Sequence, residues 1–373
     1  MHILFAGGGT AGHINPALAV AGYIKEQNPD TKISYIGTGQ KLEAKLVPAA
    51  GYDFYTIDVA GFQRKLTPKN IYRNIIAVKK MFSSSVRARK LLIELKPDIV
   101  IGTGGYVSGP VLREAVKLGI KTAIHEQNAY PGITTKALAP NVDCVMLAMP
   151  EAEKHLNLKN KPIITGNPVR GELTRVTREE ARRSLGLDND RPLILSFGGS
   201  LGARPINEAI VSLIKTHNNT KKYYHIHGAG KVGYESTLRA INAECGPLAK
   251  EITVTEYIDN MDVCMAAADL VICRAGAITL SELAVCGKPS ILIPSPYVAE
   301  NHQYHNAMTL KNCGAAEVIE EKDLTGELLT KTVVQFVEDA DVLNKMRANA
   351  KKAAIADSKE RIFNVITQLY TKN

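Results

Sequence analysis

What this chain of 373 residues lacks narrows its class first. It has no run of about 18 apolar residues, so no helix is expected to span a membrane. Residues 1–7 carry neither a basic n-region nor a small-residue cleavage site, and read as a first β-strand, not a signal peptide. Cys144, Cys245, Cys264, Cys273, Cys286 and Cys313 form no CxxC pair and mostly sit in apolar stretches. Free thiols in a reducing cytosol are expected, and a zinc site is not. No low-complexity tail is present.

Acidic residues are missing from one segment. Residues 61–90 contain Arg64, Lys65, Lys69, Arg73, Lys79, Lys80, Arg87, Arg89 and Lys90 and no Asp or Glu. The whole chain carries +9, so these nine account for the net charge and the remainder balances to zero. Something negative should face this segment. On a helix, Ile71, Ile75, Val78 and Phe82 follow i, i+4, i+7, i+11 spacing and share a face among Lys69, Arg73, Lys79 and Lys80. A basic amphipathic helix suits an anionic membrane surface, where each basic residue contributes about 1 kcal/mol. The segment offers few aromatics for base stacking (Phe62, Tyr72 and Phe82) and no nucleic-acid motif, so no nucleic-acid partner is expected.

What is present is strand–helix alternation. Strands are predicted near residues 3–6, 32–37, 54–59, 99–103, 122–125, 143–148 and 163–165. After a turn-rich break at 166–170 a second series is predicted near 193–197, 223–227, 252–255, 270–273, 290–293 and 316–319. The end, 324–370, reads as helical. This pattern predicts an α/β fold of two doubly wound parallel-sheet domains. At roughly 100–200 residues per domain, the length agrees.

Glycine-rich segments follow strands in both halves: Gly7-Gly8-Gly9-Thr10-Ala11-Gly12-His13, Gly102-Thr103-Gly104-Gly105-Tyr106-Val107-Ser108-Gly109 and Gly198-Gly199-Ser200-Leu201-Gly202-Ala203-Arg204. A fourth helix start runs Cys273-Arg274-Ala275-Gly276-Ala277-Ile278-Thr279-Leu280-Ser281-Glu282. Each can offer backbone N–H groups and a helix N-terminus to phosphate. The first loop formally matches GxGxxG, but the second strand ends Tyr35-Ile36-Gly37-Thr38 with no acid for a dinucleotide ribose. An NAD-type oxidoreductase is therefore disfavoured. Two formal DxD triplets, Asp188-Asn189-Asp190 and Asp339-Ala340-Asp341, fall in turns beside helices and read as turn or capping residues.

Taken together and in order, these segments resemble glycosyltransferase family 28, and within it the bacterial enzymes that convert lipid I to lipid II. The resemblance also runs through His125-Glu126-Gln127-Asn128, Gly166-Asn167-Pro168-Val169-Arg170 and Glu300-Asn301-His302-Gln303-Tyr304. The chain departs from the pattern at Ala11 and Leu201, where many members carry Gly and Gln, and at His302, where Gln is frequent. The resemblance implies a GT-B architecture of two Rossmann-like domains facing across a cleft. It implies an N-terminal lipid-acceptor and membrane-facing domain (1–166 plus the last helix, 351–373) and a UDP-GlcNAc-binding domain (167–350).

The activity implied is transfer of GlcNAc, with inversion, from UDP-GlcNAc to the 4-hydroxyl of MurNAc in a polyprenyl-pyrophosphate-linked MurNAc-pentapeptide. That would place the enzyme peripherally on the cytoplasmic face of the plasma membrane, in peptidoglycan synthesis. Another lipid acceptor, such as diacylglycerol or a sterol, is the rival; two phosphate-ready loops in the first half argue against it. For the donor, the resemblance implies Ile258 backbone at the uracil, Glu282 at the ribose, and Ser200, Ala277, Ile278 and Thr279 at the diphosphate, with Leu280 and Ser281 adjoining. Arg170 would assist with phosphates, and His302 and Gln303 would meet GlcNAc. Thr10, Ala11, Gly12 and Asn128 are assigned to the same ligand. The acceptor pyrophosphate falls to Gly8, Gly9, Gly104, Gly105, Tyr106 and Ser108, and the membrane to Ile71, Arg73, Ile75, Val78, Lys79, Lys80 and Phe82. His13 is the expected general base, with His125 and Glu126 as alternatives. No cofactor is required by this reading, and nothing in the sequence implies Mg2+.

Overall fold

The architecture is that of a computed structural model describing residues 1–59, 67–188 and 191–371. The chain forms two compact units, Met1–Val169 with Asp357–Asn373, and Arg170–Ala356. The junctions thus lie at 169/170 and 356/357, where the sequence reading put 166/167 and 350/351.

The first unit contains β1 (His2–Gly7), α1 (Ala11–Gln27), β2 (Lys32–Gly37), α2 (Glu43–Ala49), β3 (Asp53–Thr56), α3 (Pro68–Leu95) and β4 (Ile99–Gly104). It continues through α4 (Ser108–Lys117), β5 (Lys121–Glu126), α5 (Ile133–Leu138), β6 (Cys144–Leu147) and β7 (Ile163–Ile164). The second unit holds α6 (Arg178–Ser184), β8 (Leu193–Phe197), α7 (Arg204–Thr220), β9 (Tyr224–Gly228), α8 (Tyr234–Cys245), β10 (Ile252–Thr255) and α9 (Met261–Ala267). Next come β11 (Leu270–Cys273), α10 (Ala277–Val285), β12 (Ser290–Leu292), α11 (His302–Asn312), β13 (Ala316–Val318), α12 (Gly326–Val337) and α13 (Ala340–Ala353). The last helix, α14 (Ser358–Thr371), belongs to the first unit.

Every strand expected from the sequence is present, with ends moved by at most a few residues. The first sheet runs β3-β2-β1-β4-β5-β6-β7 and the second β10-β9-β8-β11-β12-β13. Every strand pairing is parallel, for example Ile3 with Ile33 and Ile99, and Leu195 with Ile226 and Val271. Parallel strands need helical crossovers, so helices cover both faces and strands such as 2–7 are buried throughout.

Alternation sorts the β1 side chains between two cores. Leu4 and Ala6 join Leu91, Leu92, Val111 and Leu112 on one face. Ile3 and Phe5 join Ile14, Val20 and Ile24 of α1 on the other, with Ile362, Val365 and Ile366 of α14. Tyr23 and Phe363 meet edge to face, ring centroids 6.0 Å apart. Each fully buried aliphatic side chain contributes roughly 1.5–3 kcal/mol, which is why α14 is held to the first unit and not to the unit it follows in sequence. The second core gathers Ile194, Ile206, Ile210, Ile214, Ile272 and Ile291. In both sheets strand order reverses beside the first strand, between β1 and β4 and between β8 and β11. Loops diverge at such a point and leave a crevice at the strands' carboxyl ends.

Candidate active site

In the first unit, the loops after β1 and β4 flank the reversal. Gly9, Gly104 and Gly105 take φ of 90°, 107° and 79°, a region that favours glycine. A Cβ on Gly105 would lie 2.3 Å from Gly8 O, so the two loops touch backbone to backbone. A Cβ on Gly104 would lie 2.5 Å from His13 Nδ1, so the missing side chain makes room for that imidazole. Thr10, Ala11 and Gly12 are exposed at the start of α1, which has no side-chain cap and no acid in its first turn. No residue of the first turn itself therefore offsets the positive end of the helix dipole, which suits an anion.

Some of the expected groups are already committed. The Gly9 N–H donates to Glu43 Oε2 at 3.1 Å. Glu43, fully buried, also accepts from Thr38 N–H and Thr38 Oγ1 at 3.1 and 2.7 Å. Burial opposes its charge, but these hydrogen bonds outweigh it and hold the carboxyl below its ordinary range. Ser108 is buried; its hydroxyl donates to Ala6 O at 2.7 Å and accepts from Gly104 N–H at 3.1 Å. Ser108 therefore fixes the loop internally. Tyr106 is half exposed beside Gly105.

β5 delivers His125 and Glu126 to the same end of the sheet. Both are buried. Glu126 Oε1 accepts from Asn128 N–H and Nδ2, at 3.1 and 3.0 Å. Its Oε2 accepts from Gly132 N–H and Thr135 Oγ1, at 3.1 and 2.6 Å. With both oxygens engaged twice, Glu126 is built as the staple of the loop leading to α5. His125 Nε2 donates to Gly166 O at 3.0 Å, and burial, only partly offset by that bond and by Glu126, pushes its pKa down. Gln127 lies between the two histidines, 3.1 Å from His125 Nδ1 and 3.3 Å from His13 Nδ1. His13 is the partly exposed member of the group.

The second unit repeats the plan. After β8, Gly199 and Gly202 take φ of 97° and 83°. A Cβ on Gly202 would lie 2.1 Å from Ala229 O, so this loop rests on the turn after β9 and holds Ser200 and Leu201 outward, both exposed. Ile258 is buried, its Cδ1 in reach of Gly228. After β11, α10 starts at Ala277 with Gly276 as N-cap and no side-chain capping bond. Ala277 and Leu280 are buried, Ile278, Thr279 and Ser281 partly exposed, and Ser281 Oγ donates to Ala277 O at 3.1 Å.

Glu282 is buried and accepts from Arg170 Nε at 2.9 Å. Burial raises its pKa, and Arg170 partly offsets that. The two residues expected at ribose and phosphates thus hold each other here. His302 and Gln303 open α11 directly after Glu300 and Asn301, whose φ of 55° and 48° are rare for side-chain-bearing residues. His302 Nδ1 donates to Ala299 O at 2.8 Å, and Gln303 Oε1 accepts from Ser295 N–H at 2.9 Å.

Of the expected membrane segment, Arg64 and Lys65 lie outside the described residues, as do the side chains of Lys69, Ile71, Arg73, Ile75, Val78 and Lys79. The backbone is helical from residue 68, as the spacing predicts. Lys80 pairs with Asp58 at 2.9 Å. Phe82 is 67% exposed, and Val86 and Ile93, at i+4 and i+11 from it, are 72% and 54% exposed. No described helix is long and apolar enough to cross a membrane. Asp339 Oδ1 caps α13 through Asp341 N–H and Val342 N–H, and Asp188 pairs with Arg191 at 2.7 Å; Asn189 and Asp190 lie outside the described residues. Among the described residues no three His, Cys, Asp or Glu side chains converge as metal ligands do.

Sequence reasoning missed Glu43 and Gln127. Glu43 is six residues beyond β2 and reaches the first loop only because α2 folds back. Gln127 lies within the His125–Asn128 run, and its placement between the two histidines is tertiary information.

Comparison with known proteins bears on both units. Residues 3–147 match the glycosyltransferase family 28 N-terminal domain, and residues 193–362 the glycosyltransferase family 28 C-terminal domain. A protein of Acetivibrio thermocellus is 47% identical over 369 residues, 99% of this chain and 98% of its own length. It is named UDP-N-acetylglucosamine--N-acetylmuramyl-(pentapeptide) pyrophosphoryl-undecaprenol N-acetylglucosamine transferase. A Bacillus cereus protein, named as number 1 of that transferase, is 41% identical with 100% of both chains covered. Among solved structures, Acinetobacter baumannii MurG superposes with a TM-score of 0.79 at 29% identity, covering 98% of this chain and 99% of its own.

Proposed function

The chain belongs to glycosyltransferase family 28, and from that premise we propose that it moves N-acetylglucosamine from UDP-GlcNAc to the 4-hydroxyl of MurNAc in undecaprenyl-pyrophosphoryl-MurNAc-pentapeptide. The product is lipid II, for peptidoglycan synthesis. The observation that carries this reading is likeness along nearly the whole chain to relatives named for that transfer.

The donor is read onto the second unit. Its diphosphate meets the start of α10, Ala277–Thr279, and the Ser200 hydroxyl. Glu282 turns from Arg170 to the ribose hydroxyls, and Arg170 is thereby released towards phosphate. The Ile258 backbone meets the uracil edge, and Gln303 with His302 meets the sugar. The acceptor pyrophosphate is read onto the exposed start of α1 and the loop at Gly104–Tyr106. In the reaction the acceptor oxygen bonds to the anomeric carbon as the bond from that carbon to UDP breaks, and the electron pair leaves with UDP. The hydroxyl proton passes to His13 Nε2. Dipoles preset at α10 stabilise the charge growing on UDP. Glu126 and His125 support the site without taking the proton, since their acceptor atoms are occupied.

The enzyme works peripherally at the cytoplasmic face of the plasma membrane. The exposed Phe82, Val86 and Ile93 and the basic residues of α3 meet the anionic leaflet. No cofactor is part of this reading, and turnover unchanged by EDTA checks that. The activity is tested by mass spectrometry of the acceptor after incubation with UDP-GlcNAc or UDP-glucose. Gain of one N-acetylhexosamine, with equimolar UDP, supports the proposal. Equal transfer of glucose, or UDP release without acceptor gain, contradicts it.

A further inference from the structure

His125 and Gln127 stand behind His13, and the proposed chemistry so far gives Gln127 no part. The direction of their hydrogen bonds can be read atom by atom, because backbone carbonyls anchor it. His125 Nε2 lies 3.0 Å from Gly166 O. A carbonyl oxygen only accepts, so Nε2 carries the ring proton. Burial disfavours a second proton on this ring, which leaves Nδ1 as a bare acceptor. Gln127 Nε2 lies 3.1 Å from that Nδ1 and 2.8 Å from His125 O. Both can only accept, so the amide nitrogen must face His125 and the amide oxygen must face away. Gln127 Oε1 is then directed at His13 Nδ1, 3.3 Å away, at the long end for such a bond. It accepts, so His13 Nδ1 carries the proton and the lone pair falls on Nε2.

We propose that Gly166, His125 and Gln127 form a tautomer lock that holds His13 with its proton on Nδ1 and its lone pair on Nε2, aimed at the acceptor hydroxyl. The proposal rests on the reading of His13 as general base. Gln127 and His125 are positioning residues; neither touches the reacting atoms. Both are almost wholly buried, so water does not compete for the bonds. The imidazole lies against Gly104, where a Cβ would come within 2.5 Å of Nδ1 and displace it. A neutral amide is also well matched to this role, because it orients an imidazole without the strong pull on the imidazolium that a carboxylate partner exerts.

The test is a long-range proton–nitrogen NMR spectrum of the full-length protein with 15N-labelled histidine, under mildly alkaline conditions. His13→Gln identifies the His13 signals by their loss. The lock predicts a bare, pyridine-type Nε2 and a protonated Nδ1 in the unmodified protein. It predicts averaging between both tautomers in Gln127→Met. In turnover, Gln127→Met should lower kcat about ten-fold or more, tautomer partition costing a few-fold and lost orientation the rest, with KM for UDP-GlcNAc within about two-fold of its original value. A protonated Nε2, or an already averaged ring in the unmodified protein, overturns the lock whatever the variants do. If His13→Gln abolishes turnover but Gln127→Met retains it, the lock is wrong and the base assignment stands. If His13→Gln itself keeps kcat, the base assignment falls and takes the lock's purpose with it, while the spectra still report the tautomer.

Discussion

Acid should loosen the second unit through three histidines that face one another inside it. His217 lies on α7 and His225 and His227 on β9, with ring centroids 5.2 and 6.4 Å apart in succession. All three are fully buried. Ser196 Oγ bridges His225 Nε2 and His227 Nδ1 at 2.8 Å each, while neither ring nitrogen of His217 has a hydrogen-bond partner. Burial pushes His217 and His227 down to about 4 and, with its two neighbours, drives His225 well below its ordinary value. Unfolded histidines titrate near 6.5. Between those values the unfolded chain binds protons that the folded unit refuses. Stability is therefore complete above pH ~6.5 and falls as pH drops through the window towards 4.

Each histidine costs about 1.4 kcal/mol per pH unit within that window. Over the full range this is roughly 3 kcal/mol for each of His217 and His227, a large share of the 5–15 kcal/mol typical of a domain. The chain has no Trp, so hydrogen–deuterium exchange of peptides spanning β8 and β9, corrected for intrinsic rates, is the suitable assay from pH 7.5 to 5. Protection should fall by roughly 3–4 kcal/mol per unit between pH 6 and 5. His217→Phe, which keeps an aromatic ring beside Tyr223, should remove about a third of that slope. Equal slopes in the two proteins would mean that burial of His217 does not set the acid sensitivity.

Further tests address the first unit. Glu126→Ala leaves four donors around an empty buried site and should lower stability by at least 2–3 kcal/mol in thermal unfolding; activity should fall with the fold, and an undiminished melting temperature contradicts the staple. Gly104→Ala places a Cβ against His13 at φ 107°, so turnover should drop about 100-fold with KM for the donor little changed. Changing Lys69, Arg73, Lys79 and Lys80 together to Glu, or Phe82 to Ser, should weaken binding to anionic vesicles, by about 1 kcal/mol per basic residue removed; retention on those vesicles in a flotation assay counts against the membrane assignment.

The parts of this molecule that follow from local pattern were legible in the sequence. Apolar β-branched runs such as 193–197 and 270–273 announce buried parallel strands, because both faces of each must be apolar. The glycine runs after β1, β4 and β8 announce tight loops, and Gly105 and Gly202 are the members that lie against other backbone. What could not be read depends on which side chains meet. Glu126 reads as a candidate base from sequence, and the bonds of Gly132 and Thr135 to its second oxygen are visible only in the fold. Nothing in the sequence signals that Glu282 and Arg170, expected at the ribose and the phosphates, also bind each other. Glu43 stood unnoticed because a carboxylate on a short helix has no signature until α2 brings it to Gly9. The histidines at 217, 225 and 227 read as scattered, and only the packing of α7 on β9 joins them.

In the proposed function the two units divide the labour: the nucleotide diphosphate binds at the second unit's strand-order reversal, the lipid diphosphate at the first. A crystal structure with UDP-GlcNAc bound tests it most directly. The diphosphate is expected against Ala277–Thr279 and Ser200, with Glu282 turned from Arg170 to the ribose. A diphosphate lodged instead against Gly9–Gly12 of the first unit would contradict it.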